Sequence, residues 1–148
     1  MPNIAENIRA IRENMAQAAK SAGRAPEDIL LCAATKMNDA GAVREAVAAG
    51  VDCCGENRVQ EAKHKQEALG KHGYWHLIGH LQTNKARQAV ALFDLIESVD
   101  SEHLLAAVDK EAERIGKVQD ILLQLNIAHE EQKSGLDKED YLAPVSYT

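Results

Sequence analysis

Lys36 is the residue whose type and setting most clearly suggest chemistry. It follows an apolar run at residues 29–35 that is typical of a buried strand. A charged lysine is costly to bury unless it is paired or used, and burial favours the neutral amine, the form that attacks an aldehyde to give a Schiff base. Residue type alone favours a more ordinary explanation, a strand-end lysine that reaches water, with the Schiff base as the alternative.

Other polar groups also follow predicted strands, and each has two explanations. Asn57 can cap the next helix or contact a ligand. Ser98 and Asp100 can likewise start a helix or contact a ligand, and Asn126 follows the fifth strand. For His80, which follows the third strand, a structural role beside a ligand is favoured over work as a general base. Because parallel strands deliver their carboxyl ends to one face, these residues predict a site at that face.

A metal site is not predicted. His76 and His80 are spaced like a zinc pair on a helix, but His76 lies on a predicted strand. At about 3.3 Å per strand residue the two would be about 13 Å apart, too far for one ion with ligand bonds near 2 Å. The cysteines, Cys32, Cys53 and Cys54, lack metal-site spacing and lie in apolar stretches, so we expect them to be small buried hydrophobes.

Helices and strands alternate along the chain that carries these residues. The first helix has a capping pair at its start, apolar residues three or four apart and a glycine at its end: Asn3 with Glu6, then Ile4, Ile8, Ile11 and Met15, then Gly23. Strands are predicted at residues 29–35, 51–54, 74–78, 93–99 and 120–127. Further helices are predicted at 39–49, 56–69, 84–92 and 101–115, with the charged run 63–67 on a solvated helix face.

The predicted fold class is α/β with parallel strands. Strands separated by helices of this length return in parallel, because a parallel return needs a crossover of a dozen or more residues. No G-x-G-x-x-G follows a strand, which weakens a dinucleotide-binding sheet. We therefore expect the first five strand–helix units of a (β/α)₈ barrel, in a single domain covering residues 1–148 with an atypical end at about 137–148.

Composition excludes some functions. Hydrophobic residues make up 45% of the 148 residues, enough for a core, and the net charge is −6. Lysines and arginines are scattered, so nucleic acid is not expected as a partner. No apolar run approaches the roughly 20 residues that span a bilayer, and the start lacks a basic region followed by an apolar one. We predict a cytoplasmic protein without a membrane partner.

One continuous segment, residues 75–85, carries a family resemblance. Its sequence, Trp-His-Leu-Ile-Gly-His-Leu-Gln-Thr-Asn-Lys, resembles the signature of the pyridoxal 5′-phosphate homeostasis proteins, whose fold is that of the alanine racemase N-terminal barrel. The resemblance covers about residues 4–136. Further matching segments follow in order at suitable spacing: Thr35-Lys36, Gly55-Glu56-Asn57, Val59-Gln60-Glu61, Phe93 to Ile96, Ser98 to Asp100, Leu123 to Asn126, and Lys133-Ser134-Gly135.

The resemblance implies a pyridoxal 5′-phosphate protein without turnover. It places the cofactor on Lys36 as a Schiff base, with Asn57, His80 and Ser98 as cofactor-binding residues and no catalytic residue. Family members bind, store or hand over the cofactor and so keep vitamin B6 pools in balance, and PLP-dependent apoenzymes are the implied recipients. Racemase relatives need a second domain that supplies a tyrosine base, for which this chain has no room.

Two departures from the family pattern stand out. After Lys36 the family continues with a Thr-Lys-Pro type of run, whereas this chain has Met37-Asn38-Asp39. After Gly135 the family continues with three more strand–helix units, whereas residues 143–148 resemble no part of them. The expected phosphate loops after strands seven and eight would then be missing, and the open sheet edges would favour self-association.

Two rival functions stay open. A lysine Schiff-base enzyme, aldolase- or racemase-like, would condense a carbonyl substrate with Lys36 and would need an acid–base residue within reach. His80 and Asp100 are its candidates. A truncated fragment that is non-functional or only takes part in interactions is the other rival, suggested by the atypical end.

Overall fold

Helices and strands alternate along the chain, as the sequence predicts. The computed structural model describes residues 3–70 and 73–141. The strands are β1 (Cys32–Ala34), β2 (Cys53–Glu56), β3 (Tyr74–Leu77), β4 (Leu95–Val99) and β5 (Asp120–Leu123). The helices are α1 (Ile4–Ser21), α2 (Ala40–Ala48), α3 (Val59–Leu69), α4 (Ala86–Leu92) and α5 (Glu102–Arg114). Two short 3₁₀ turns occur at Pro26–Asp28 and Thr83–Lys85.

The described residues form two compact units. The first takes in residues up to 55 and those between 64 and 74, and the second takes in 56–63 and the residues from 75 onward. In the first unit β1 pairs with β2. In the second, β3 pairs with β4 and β4 with β5. Each pair is parallel, which confirms the predicted α/β class. That residues 1–148 form one domain stays a prediction, and residues 142–148 of the predicted atypical end lie outside the described residues.

The start of α1 shows the predicted cap. The Asn3 side chain accepts a hydrogen bond from the Glu6 backbone N–H at 3.1 Å, which satisfies one of the donors left open at a helix start. From the apolar stripe of the helix, Ile8 is buried and packs with Ala46 of α2 and Val51. The first helix is therefore confirmed in type and position.

Strand β1 is shorter than predicted and is not covered on both faces. Leu31 and Ala33 pack against the cluster around Ile8, but Cys32 and Ala34 are exposed. An apolar run shows that a segment can be buried but not how many faces are covered, and alternate strand residues point to opposite faces. The prediction of two covered faces is therefore wrong for β1.

Asp52 ties α1 to the paired strands of the first unit. Its Oδ2 accepts hydrogen bonds from the Leu31 backbone N–H at 2.6 Å and from the Arg12 guanidinium at 2.5 Å. Arg12 also donates to the Gly50 carbonyl at 2.6 Å. Gly50 has a φ of 100°, a value that favours glycine, and it ends α2 as predicted. These bonds fix the register in which Cys32 lies opposite Cys53.

The second unit is built around large buried side chains. Trp75 and Leu77 of β3, Phe93, Ile96 of β4 and Val108 of α5 are all fully or almost fully buried. Lys117 precedes β5 and links it to the end of α4, because its ammonium donates hydrogen bonds to the carbonyls of Val90 and Phe93, both at 2.7 Å. No helix among the described residues is long and apolar enough to cross a membrane.

Several strand and helix limits differ from the predicted ones because backbone pairing, not hydrophobicity, sets them. Strand β2 begins at Cys53, later than predicted, and runs on to Glu56, whose carbonyl accepts from the Ile78 N–H at 2.9 Å. Helix α3 therefore starts at Val59, three residues after its predicted start. Strand β5 ends early, but Leu125 still forms a parallel bridge with Leu136.

The cysteine prediction is right for two residues and wrong for one. Cys53 and Cys54 are buried, while Cys32 is exposed because it lies on the uncovered face of β1. Burial, together with a hydrogen bond to Cys32 and the nearby Asp52 carboxylate, raises the pKa of the Cys53 thiol to about 12. A thiol with so high a pKa is a poor nucleophile near neutral pH, since the thiolate is the reactive form.

We expect iodoacetamide near pH 8 to alkylate Cys32 in the folded protein and to leave Cys53 largely unmodified. With a pKa of about 12, only about one Cys53 thiol in ten thousand is ionised at that pH. Peptide mass mapping over time measures both rates, and the urea-unfolded protein, in which both should react, is the control. Equal rates in the folded protein would contradict the burial described here.

Candidate functional site

Lys36 lies in a turn directly after β1, at the carboxyl end of that strand. Thr35 before it is buried, whereas Lys36 itself is exposed. The burial that would make this lysine costly is therefore not observed, and the exposure agrees with the favoured explanation, a strand-end lysine that reaches water. Its place at the strand end is as predicted. The turn continues with Met37, which has a φ of 61°, a conformation that residues other than glycine rarely adopt.

The backbone on both sides of Lys36 is held by hydrogen bonds. The Thr35 N–H and hydroxyl both donate to the Gly55 carbonyl, at 2.9 and 3.3 Å. The Asn38 amide donates to the Lys36 carbonyl at 3.0 Å, and Asp39 caps α2 by accepting from the Ala42 N–H at 2.8 Å. The run that departs from the family pattern thus closes the turn and starts α2. Lys36 is an accessible amine on a fixed backbone.

Lys65 of α3 is a residue that sequence reasoning misassigned. The run 63–67 was predicted to be solvated, but Lys65 and Gln66 are only 7% and 9% exposed. The Lys65 ammonium donates to the Thr35 carbonyl at 2.7 Å. The helical spacing could have indicated that Lys65 is buried, because the buried residues Val59 and Ala62 lie six and three residues before it on the same face of the helix. The charged residues around Lys65 favoured the opposite interpretation, a solvated face.

Asn57 and His80 line one cavity of the second unit. The cavity has a volume of about 450 Å³, within the range of small-molecule sites. The loop after β2 contacts the loop after β3 at Gly79, where an added Cβ would lie 2.4 Å from the Asn57 carbonyl oxygen. Only glycine permits that approach. The structure thus brings together the residues predicted after β2 and β3.

The cavity wall is basic and amide-rich. In a chain with 23 acidic and 17 basic residues, none of the residues that line this cavity is acidic. Side-chain amides and cations donate hydrogen bonds to anionic oxygens. The wall therefore suits a polar or anionic ligand. Its polar side chains are Asn57, Arg58, Gln60, His80, Gln82, Lys85 and Gln88.

The carboxyl ends of β3 and β4 meet at a contact between His80 and Asp100. His80 Nδ1 lies 3.3 Å from Asp100 Oδ2, and the His80 side chain is 55% exposed whereas that of Asp100 is 14% exposed. His76 has a different partner, since its Nδ1 lies 2.8 Å from Glu97 Oε1. The two histidines are thus engaged separately. His80 presents an exposed ring beside a carboxylate, and its role beside a ligand stays a prediction.

Ser98 is a buried hydroxyl without a hydrogen bond. It is 1% exposed, and within the described part of the chain its Oγ has no hydrogen-bond partner. A β-bulge between Ile96 and Val99 changes the register here, and such bulges re-aim side chains. The capping alternative is wrong for Ser98 and Asp100, because Ser101 caps α5 by accepting from the Leu104 N–H at 3.1 Å.

The segment 133–135 packs against the end of β5. The Gln124 amide donates to the Ser134 carbonyl at 2.7 Å, and the Asn126 N–H donates to the Leu136 carbonyl at 2.9 Å. Gly135 has a φ of 145°, and a Cβ there would lie 2.5 Å from the Asn126 nitrogen. These contacts fix Asn126 three residues beyond the end of β5.

Comparison with known proteins identifies the family. The chain matches the model of the alanine racemase N-terminal domain over residues 7–147. The pyridoxal phosphate homeostasis protein of Escherichia coli (strain K12) is 38% identical over 141 residues, which cover 92% of this chain and 60% of that protein. The protein of the same name from Aquifex aeolicus (strain VF5) is 35% identical over 147 residues, which cover 99% of this chain and 64% of that protein.

Solved structures agree with these sequence matches. PipY of Synechococcus elongatus PCC7942, solved with PLP bound, has a TM-score of 0.81 and 38% identity, covering 97% of this chain and 63% of PipY. The alanine racemase of Clostridium difficile 630 has a TM-score of 0.70 at 14% identity, a likeness that concerns the fold alone. It supports the predicted barrel-type fold, of which the five strand–helix units form part.

The chain spans about 60% of the length of the curated relatives it matches. The family match extends over nearly the whole sequence. This chain belongs to the alanine racemase N-terminal domain family and, within it, is similar to the pyridoxal phosphate homeostasis proteins.

Proposed function

We propose that this chain binds pyridoxal 5′-phosphate through Lys36 and serves vitamin B6 homeostasis. The observation that carries the proposal is an exposed lysine on a hydrogen-bonded backbone at the carboxyl end of β1. The cofactor supplies an aldehyde, which condenses with an amine to a Schiff base with loss of water. An exposed amine can be reached by that aldehyde, and the fixed backbone limits the directions from which the two meet.

The described residues of the second unit fit such a ligand. Asn57 and His80 line a cavity without acidic residues, which suits an anionic compound of this size. Ser98 keeps a buried hydroxyl that lacks a hydrogen-bond partner among the described residues, and a buried polar group without a partner costs about 1–3 kcal/mol. A ligand that supplied the partner would remove that cost. We therefore propose Asn57, His80 and Ser98 as cofactor contacts of the second unit.

Binding and delivery, rather than turnover, is the proposed role. The recipients would be PLP-dependent apoenzymes, and the acidic net charge of −6 does not suit nucleic acid. We place this activity in the cytoplasm. The support comes from the pyridoxal phosphate homeostasis proteins, which share 35–38% identity with this chain.

A lysine Schiff-base enzyme is the second candidate, favoured by the His80–Asp100 pair. An exposed imidazole 3.3 Å from a carboxylate is a candidate acid–base group. Chiral analysis of alanine incubated with protein and cofactor separates the two functions. Racemisation above that of the cofactor in solution, abolished by Lys36→Ala, would favour the enzyme.

We expect added pyridoxal phosphate to form a borohydride-reducible adduct at Lys36. Peptide mapping of the full chain after reduction locates the modified lysine. Lys36→Ala should lose the adduct, whereas Lys110→Ala, which removes an exposed lysine of α5, should keep it. Cofactor spread evenly over surface lysines, or an unchanged yield in Lys36→Ala, would refute the assignment.

We also expect Ser98→Ala to weaken cofactor binding without lowering the stability of the ligand-free protein. Losing one hydrogen bond to the ligand costs about 1 kcal/mol, or roughly fivefold in affinity, while removal of a buried hydroxyl without a partner costs the free protein little. Ser101→Ala is the matched control. It removes the α5 cap, so it should lower unfolding stability by about 1 kcal/mol and leave the affinity unchanged.

Thermal unfolding and cofactor titration of both variants measure the two effects. If Ser98→Ala binds the cofactor as tightly as the unmodified chain, Ser98 is not a ligand contact.

A further inference from the structure

We propose that Lys65 is a positioning residue for Lys36. It would hold the peptide that joins Thr35 to Lys36 in the orientation from which the Lys36 amine reaches an aldehyde. The inference rests on the proposed function, since it concerns the same amine. It assigns a role to a buried lysine on α3 that the cofactor itself need not touch.

The contact between Lys65 and Thr35 is buried and short. Lys65 is 7% exposed and Thr35 is 4% exposed. The ammonium of Lys65 donates to the Thr35 carbonyl at 2.7 Å, a length typical of strong hydrogen bonds from a charged donor. An ammonium removed from water is costly unless its donors are engaged. Lys65 is therefore committed to this end of β1 rather than free to move in solvent.

The bonded carbonyl belongs to the peptide plane that carries the Lys36 N–H. Because that plane is rigid, fixing the Thr35 oxygen also fixes the Lys36 nitrogen and restricts the direction of its Cα. Gly55 holds Thr35 from the other side, accepting from its N–H and its hydroxyl at 2.9 and 3.3 Å. The Asn38 N–H reaches the same Thr35 oxygen more weakly, at 3.2 Å.

An exposed lysine needs such support more than a buried one does. The Lys36 side chain is exposed, so the backbone largely sets where its amine lies on average. The turn that follows contains Met37 at a φ of 61°, a conformation that neighbouring contacts must maintain. We infer that Lys65 supplies one of these contacts and thereby raises the effective concentration of the amine at the aldehyde.

The decisive measurement is the rate at which the visible band of the Schiff base appears after mixing with pyridoxal phosphate. Lys65→Met keeps an unbranched side chain that is one atom shorter, and it removes the charge and the donor. We expect it to react about tenfold more slowly, because small displacements of a reacting group have effects of this size or larger. Lys63→Met, an exposed neighbour on the same helix, should react at the rate of the unmodified chain.

Pyridoxal, which lacks the phosphate, separates positioning from attraction of charge. If Lys65 positions Lys36, Lys65→Met slows both aldehydes by the same factor. A loss seen only with pyridoxal phosphate would show that the ammonium acts on the phosphate, and the proposal would be wrong. Lys65→Arg, which restores a charged donor, should recover part of the rate.

Amide hydrogen exchange at Thr35 tests the same idea without any cofactor, because the buried Thr35 N–H donates to the Gly55 carbonyl at 2.9 Å. We expect the Thr35 N–H to exchange faster in Lys65→Met, while α1 and α5 keep their protection. If Lys65→Met does not fold, Lys65→Gln replaces it under the same criteria. Unchanged exchange and an unchanged reaction rate in a folded variant would overturn the proposal.

Failure of this inference differs from failure of the proposed function. If the unmodified chain forms no adduct at Lys36, the proposed function is wrong, and hydrogen exchange alone then decides whether Lys65 holds the turn. If the adduct forms at Lys36 at equal rates in Lys65→Met and Lys63→Met, only the positioning role is lost.

Discussion

Backbone pairing at the end of β1 is the constraint on which the site in the first unit depends. Thr35 donates two hydrogen bonds to the Gly55 carbonyl and accepts one from Lys65. All of these groups are buried, so each needs a partner. The next residue leaves the strand and reaches solvent, which turns Lys36 into an accessible amine on a rigid base. Its chemistry depends on the residues that hold the strand end.

The second unit shows the same arrangement at other strand ends. Parallel pairing brings the ends of β3 and β4 close enough for His80 to reach Asp100. The contact between Gly79 and Asn57 brings two loops together, and the cavity beside them has no acidic lining residue. In each case the strands hold the backbone in place, and the residues just beyond them carry the polar side chains. This arrangement is usual for α/β folds, whose sites lie at the carboxyl ends of strands.

Much of the fold could be predicted from sequence because its signals are local. The cap at Asn3 and the glycine after α2 depend on a few neighbouring residues, and both were found. The uncovered face of β1 was not found, because an apolar run does not reveal what packs on each side. Cys32 was misassigned for that reason. The predicted range of β2 began two residues too early. Pairing with neighbouring strands sets the limits of this strand, and no local sequence pattern encodes that pairing.

The candidate site was predictable where residue order alone placed it. Lys36, Asn57 and His80 follow strands in the sequence, so parallel topology puts them at strand ends. The buried role of Lys65 was missed, because a charged residue between other charged residues resembles a solvated helix face. The missing hydrogen-bond partner of the Ser98 hydroxyl could not be predicted either, because a bulge in β4 changes the register there. Both depend on contacts between segments distant in sequence.

The most direct test of the account is an absorbance titration of the full chain with pyridoxal phosphate. If Lys36 is the binding amine, the visible Schiff-base band should saturate at one equivalent per chain and should be absent from Lys36→Ala. A band that grows without saturation, or that reaches several equivalents, would mean that surface lysines react indiscriminately. That result would contradict the claim that the end of β1 forms a specific cofactor site.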